Sequence, residues 1–216
     1  MAECVAIIDY GSGNLRSVQK AFERVVSERG LDAYIVVTGS ADAVAGADRI
    51  VLPGVGAFAA CRAGLDAAPG MIAAMEKVVL QSRRPFLGIC VGMQLLATRG
   101  LEFGETPGLG WIAGDVKKIE PADPTLSVPH MGWNNVSAAA PHPVIDDLDL
   151  PQDFYFANSF HFDVEREQEK IAVCDHGGPL SAGVARDNIV GVQFHPEKSQ
   201  RAGLALIAAF LTWTPS

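Results

Sequence analysis

"PFLGICVGMQLL", Pro85 to Leu96, runs from an apolar stretch into a helix-like pattern and seats a cysteine between two glycines at the junction. The opening "PFLGI" is short and apolar, which reads as a buried strand, and "CVGMQLLAT" behind it opens a helix. Gly88-Ile89-Cys90-Val91-Gly92 therefore has the spacing of a nucleophile elbow, with sulfur replacing the usual hydroxyl, at the strand-to-helix corner that motif requires. Small residues on both sides let the chain turn sharply. The helix that starts here aims its N–H groups and positive dipole end at the sulfur, favouring thiolate and offering donors to an oxyanion. A buried core cysteine is the bland alternative, and glycines flanking a helix start favour the nucleophile.

The same alternation extends outward from this point. "VAIID" at 5 to 9 is a strand run closed by the turn "YGSGN"; Leu15, Val18, Phe22, Val25 and Val26 then recur at helix spacing, with Gly30 where a C-cap glycine belongs. "AYIVV" and "RIVLPG" repeat the strand pattern, and alanine-rich segments at 57 to 68 and 71 to 80 read as helices. Strands alternating with helices predict βαβ units and an α/β fold built on a mainly parallel sheet with helices on both faces. From Trp111 to Val192 the character changes to short strands, "GDVKKIE", "DFYFANSFHF", "KIAVCD", "SAGVAR" and "IVGVQF", with no helix between them. These predict antiparallel or mixed additions beside the parallel core. A last helix, roughly Ser199 to Leu211, buries Leu204, Ile207 and Leu211. The whole chain, 1–216, reads as one domain.

A thiol nucleophile needs a base, and the base needs an orienting group. "GVQFHPEKS" supplies both: Pro196 disfavours helical geometry at His195, and in an extended segment His195 and Glu197 project to one side. A solvated surface histidine is the alternative, but a His-Pro-Glu sequence closing an apolar strand points to the functional end of an α/β sheet. "LPGVGAF" ends another early strand, and Gly54 and Gly56 around Val55 leave N–H groups accessible to a developing negative charge. "GSGN" gives only the G-x-G of a dinucleotide turn, because Arg16 stands where the third glycine belongs, so it reads as a tight strand-to-helix turn.

Composition narrows the partners. With 17 basic and 25 acidic side chains the net charge is -8, which disfavours nucleic acid. No apolar run is long enough to span a bilayer, and the N-terminus lacks the basic start and long apolar core of a signal peptide. Cys4, Cys61, Cys90 and Cys174 form no C-x-x-C pair, and the expectation is a reduced, cytoplasmic protein. His130, His142, His161 and His176 show no ligand spacing, so no metal and no cofactor are expected.

Taken together, "PGVGAF", "GICVGMQLL" and "GVQFHPEKS" resemble, in order and across most of the chain, the signatures of triad-type class I glutamine amidotransferases. "IDYGSGNLRSV" at 8 to 18 and "VPHMGWN" at 128 to 134 are similar to the glutaminase subunits of imidazole glycerol phosphate synthases in particular. The resemblance implies the flavodoxin-like class I glutaminase fold and hydrolysis of L-glutamine to glutamate and ammonia. Cys90 would attack the amide carbon, His195 would carry the proton, and Glu197 would orient His195. N–H groups near Val55 and Val91 would hold the oxyanion, while Gly56, Gln94 and the backbone at Ser159 and Phe160 would hold the glutamine.

The resemblance also implies a partner. Ammonia would pass into a (β/α)8 cyclase subunit, forming a heterodimer that makes imidazole glycerol phosphate and aminoimidazole carboxamide ribotide for histidine biosynthesis. Asn14, the stretch Pro129, His130, Met131, Gly132, Trp133 and Asn134, and Tyr155 and Lys198 match positions that face or gate the partner, and a large exposed aromatic such as Trp133 suits an interface hot spot. Where the family commonly writes His-Ser-Tyr or His-Thr-Tyr, this chain has Asn158-Ser159-Phe160. Three other readings compete: the glutaminase subunit of another amidotransferase, a cysteine-elbow hydrolase of another kind, whose acid would fall between nucleophile and histidine in sequence, and a silent α/β binding module. Here the acid follows the histidine by two positions and all three groups are present.

Overall fold

The computed structural model describes residues 2–215. Its first half consists of β1 (Glu3–Ile8), α1 (Leu15–Arg29), β2 (Ala33–Thr38), α2 (Ala41–Ala45), β3 (Arg49–Gly54), α3 (Phe58–Ala67), α4 (Met71–Glu76), β4 (Phe86–Cys90) and α5 (Val91–Gln94). The second half adds β5 (Arg99–Gly100), β6 (Thr106–Pro107), β7 (Gly114–Lys118), β8 (His130–Ala138), α6 (Pro143–Asp146), β9 (Gln152–Asn158), β10 (Phe160–Val164), β11 (Lys170–Asp175), β12 (Pro179–Arg186), β13 (Ile189–Val192) and α7 (Gln200–Thr212).

The large sheet runs β2-β1-β3-β4-β13-β12-β11-β8-β9. Its pairings from β2 to β13 are parallel and the remainder antiparallel. β3, β4 and β13 are buried along their whole length, as strands covered on both faces must be. A second sheet, β10-β7-β5-β6, packs beside it. α1 buries Val18, Ala21, Phe22 and Val25, and Gly30 ends it at φ 61°, where Leu31 donates its N–H back to Val26. α7 lies against α1 through an edge-to-face contact of Phe22 with Phe210, ring centroids 6.3 Å apart. Its stripe differs from the expected one in a single residue: Ile207 and Leu211 are buried but Leu204 only partly, and Leu206 takes the inner position. No helix of the described residues is long and apolar enough to cross a membrane.

Two expectations need correction, and one stretch without an assigned element gains one. "DFYFANSFHF" is not one strand: it breaks at Ser159, and its halves β9 and β10 join different sheets. "HMGWN" belongs to a long strand, β8, paired with β9 so that Trp133 faces Tyr155. Short helices also occur where none was expected, α2 and the one-turn α6, the latter capped by His142 Nδ1 accepting the Val144 N–H at 3.2 Å.

Candidate active site

Cys90 closes β4 and opens α5 at φ 54°, ψ −113°. Residues with a Cβ rarely adopt positive φ, and holding one there costs about 1–3 kcal/mol. This strained corner lifts the side chain out of the sheet as a nucleophile elbow requires. Gly92 permits it, because a Cβ at that position would collide with the Leu52 carbonyl of β3.

The helix behind the elbow is one turn long, shorter than the sequence predicts. Beyond it the carbonyls of Leu95, Leu96 and Ala97 accept the N–H groups of Leu109, Ile112 and Gly110 at 2.7, 3.0 and 2.9 Å, so they are not available to extend an α-helix. A single turn carries little macrodipole, which leaves the local N–H groups at its start, Val91 first, as the donors near the sulfur.

β13 lies parallel to β4 with Val192 opposite Ile89, which brings the chain beyond β13 alongside Cys90. His195 is extended there, φ −99°, ψ 98°, and its N–H donates to Tyr155 O on β9 at 2.9 Å. Phe194 pins the same corner by packing on Phe154 and Phe156, ring centroids 4.1 and 5.8 Å away; burying one such ring contributes about 2–3 kcal/mol. The Pro196 constraint predicts an extended form through Glu197. Instead Pro196–Lys198 forms a 3₁₀ turn, and this turn carries Glu197 Oε1 to 2.9 Å from His195 Nδ1. Nε2 is thereby the nitrogen left for Cys90. Glu197 Oε2 is buried without a hydrogen-bond partner. Burial lowers the His195 pKa, but the adjacent Cys90 thiol and Glu197 carboxylate outweigh it and raise the value from 6.5 to about 9.

A cavity of about 400 Å³ opens over these groups. It brings together Val55, Gly56, Cys90, Val91, Gln94, Ser159, Phe160, His195 and Lys198 of the residues singled out in sequence, together with Pro129 and Met131. Gly54 sits beneath it, paired with Cys90 across the sheet. A larger cleft of about 520 Å³ on the small sheet pairs Arg99 with Asp115 and Glu105 and Lys117 with Asp163, and neither a cysteine nor a histidine lines it.

The hydrogen bonds around the cavity change several of these assignments. The Val55 N–H is not free for an oxyanion: it donates to Ser12 Oγ at 3.3 Å, while that hydroxyl donates to Val55 O at 2.8 Å. The carbonyl of Ser159 accepts the Ile119 N–H, and that of Phe160 is filled by the side-chain amides of Gln94 and Asn158, so Phe160 O is not left for a ligand. Asn158 Oδ1 is left buried and unpartnered. His130 is 4% exposed, stacked between Phe156 and His176, so its ring is turned into the interior, while the half-buried Asn134 donates to that ring and to Asp175 O. Burial, with His176 adding to it, depresses the His130 pKa to about 4. Met131 and Trp133, 65% and 48% exposed, and Asn14, exposed with its side chain unused in capping α1, keep the outward-facing reading. Gly132 lies between them in β8 at φ 120°. Lys198 Nζ stands 5.4 Å over the Tyr155 ring, which in turn contacts Trp133 edge-to-face.

Two cavity groups escaped the sequence. Glu102 lines the cavity and accepts the Phe58 N–H at 2.7 Å, capping a helix whose own N-cap residue is alanine. Gln193 lies beneath the cavity, 1% exposed, with Nε2 3.6 Å from Cys90 Sγ. Neither has a local sequence signal, since one acts through a loop and the other sits in an apolar strand run.

The family model described as glutamine amidotransferase class-I matches residues 6–212. The chain belongs to this family of enzymes. Among its relatives are proteins named imidazole glycerol phosphate synthase subunit HisH. That of Caulobacter vibrioides is 59% identical over 99% of this chain and 100% of its own length, and that of Brucella abortus 56% identical over 98% and 99%. The HisH protein of Rhodospirillum rubrum is 55% identical, again over 98% and 99%. Solved structures share the fold: one titled glutamine amidotransferase superposes with a TM-score of 0.67 at 18% identity over 96% of each chain, and one from Thermotoga maritima with 0.64 at 17% identity over 98% of this chain and 83% of its own. This amidotransferase thus has the α/β architecture that its elbow predicts.

Proposed function

We propose that Cys90 is the nucleophile, His195 the proton carrier and Glu197 the orienting acid of a glutaminase acting on L-glutamine. The observation that carries this reading is the strained Cys90 elbow facing, across one cavity, an imidazole held by a buried carboxylate at 2.9 Å. With its pKa near 9, His195 is mostly imidazolium at neutral pH and is ready to protonate the leaving ammonia. Once neutral, it draws the proton from the water that cleaves the thioester. Val91 N–H is the donor in place for the oxyanion, and Val55 N–H joins it only by exchanging Ser12 Oγ for the substrate. Removing such a donor typically costs about 3 kcal/mol of barrier. Glu102 offers negative charge to the substrate's α-ammonium group.

The function is that of the HisH relatives, the glutaminase subunit of imidazole glycerol phosphate synthase in histidine biosynthesis. The partner in this reading is a (β/α)8 cyclase that receives the ammonia, docked against the exposed Met131 and Trp133 beside the cavity and gated by Lys198 and Tyr155. The whole chain acts as one amidotransferase domain, supported by a match that leaves only its ends outside. A cytoplasmic location is supported by four free cysteines. Glutamate release measured with and without a cyclase subunit and its ligand tests the reading. Stimulation of about 100-fold is expected, and a chain already fully active alone would remove the basis for the gate.

A further inference from the structure

The apolar run "IVGVQF" hides one buried amide. The register that pairs Ile189 with Phe86 through Val192 with Ile89 carries on to set Gln193 opposite Cys90, and the Gln193 N–H is fixed to Ala182 O at 2.9 Å. The side chain is 1% exposed, so its polar atoms must find partners inside the protein. They do: Oε1 accepts from Gln94 Nε2 at 2.9 Å, and Nε2 lies 3.6 Å from Cys90 Sγ.

Which end of that amide meets the sulfur is decided two residues away. Gln94 Nε2 also donates to Phe160 O at 3.0 Å, and a backbone carbonyl can only accept. The Gln94 NH₂ group therefore points its two protons at Phe160 O and at Gln193. Gln193 must answer with its oxygen, and its own NH₂ group is turned toward Cys90. We propose that Gln193 is a direct N–H donor to the Cys90 sulfur, holding it in place and stabilising its thiolate form, with its direction set by the Gln94–Phe160 bridge. The inference rests on Cys90 being the nucleophile, as read above. Through that bridge the nucleophile is tied to the break between β9 and β10, where this chain carries Asn158 and Phe160.

The test is alkylation of the full-length protein by iodoacetamide, followed over pH, with Cys90→Ala giving the background from Cys4, Cys61 and Cys174. It does not use glutamine, so it fails or succeeds independently of the glutaminase assignment. Gln193→Met and Gln193→Leu both remove the donor without adding charge, and the unbranched methionine keeps the length of the side chain. Both variants are expected to alkylate about tenfold more slowly at pH 7, with the midpoint of the pH–rate profile moved up by about one unit. In glutaminase assays with the cyclase, Gln193→Met should lower kcat. If Gln193 only braces Gln94, Gln193→Met keeps the wild-type alkylation profile, and that result overturns the proposal. Should Gln193→Leu not fold, Gln193→Met decides, with Gln94→Leu, which frees the amide to turn over, expected to shift the profile the same way.

Discussion

Cys90→Ala is expected to reduce cyclase-stimulated glutamate release by about 10⁴-fold or more, because removing the nucleophile of a catalytic triad takes away the covalent route entirely. The fold should survive, since the thiol is small and alanine can occupy the same corner. Cys90→Gly provides the complement: at φ 54° glycine relieves the strain held by Cys90, so this variant should be equally inactive yet unfold at a higher denaturant concentration than Cys90→Ala. Steady-state assays and denaturant midpoints of the two variants check the pair. Residual hydrolysis within tenfold of wild type would remove Cys90 from the mechanism.

Glu197→Gln has the next largest expected effect. The carboxylate fixes the His195 tautomer through a 2.9 Å contact and helps hold its pKa near 9. A neutral amide can turn its NH₂ group to the ring and leave the wrong nitrogen toward the sulfur, a change that costs a serine protease triad about 10⁴ in kcat; a loss of about 10²–10⁴ is expected here. The pH profile carries the sign. Proton donation to ammonia needs imidazolium, so wild-type activity should fall as pH rises through about 9, and in Glu197→Gln this limb should move to lower pH. Stability follows the same direction: the folded value lies above the unfolded 6.5, so the contribution from His195 is complete below about 6.5 and is lost as pH rises through about 9. A profile that stays flat to pH 10 would contradict this assignment of the proton donor.

The parts of this architecture legible in sequence are those fixed by local chemistry. β3, β4 and β13 announce themselves because strands buried on both faces must be apolar throughout, and the elbow announces itself because its glycines are required sterically. What stayed hidden depends on distant partners. Leu95 and Leu96 continue a helical pattern, yet their carbonyls are captured by residues 109 to 112, ending α5 after one turn. "DFYFANSFHF" keeps Phe154, Phe156, Phe160 and Phe162 in one alternating register with Asn158 as its polar exception, and the need to serve two sheets breaks it at Ser159. "PHMGWN" reads as a surface motif because Met131 and Trp133 do face outward, but the same strand turns His130 inward onto His176 and Phe156.

The site divides along the same line. The three groups proposed as a triad could be picked from spacing because Cys90 ends β4, and His195 and Glu197 lie just beyond its neighbour β13. Ser12, Glu102 and Gln193 could not, because each reaches the site from a segment whose own sequence gives no reason for it to be there. Their contacts also show why the oxyanion donors expected from "PGVGAF" are not all in place: the peptide at Val55 is tied to the loop after β1.

The central claim is that the Cys90 sulfur forms the covalent bond to the substrate. A glutamine analogue bearing an electrophilic carbon at the amide position, incubated with the wild-type chain and its cyclase and followed by peptide mass analysis, tests it directly. The account predicts a single adduct on the peptide containing Cys90, with activity lost in proportion to labelling and with Cys4, Cys61 and Cys174 unmodified. Inactivation with the adduct on any other residue, or full labelling of Cys90 with hydrolysis undiminished, would contradict it.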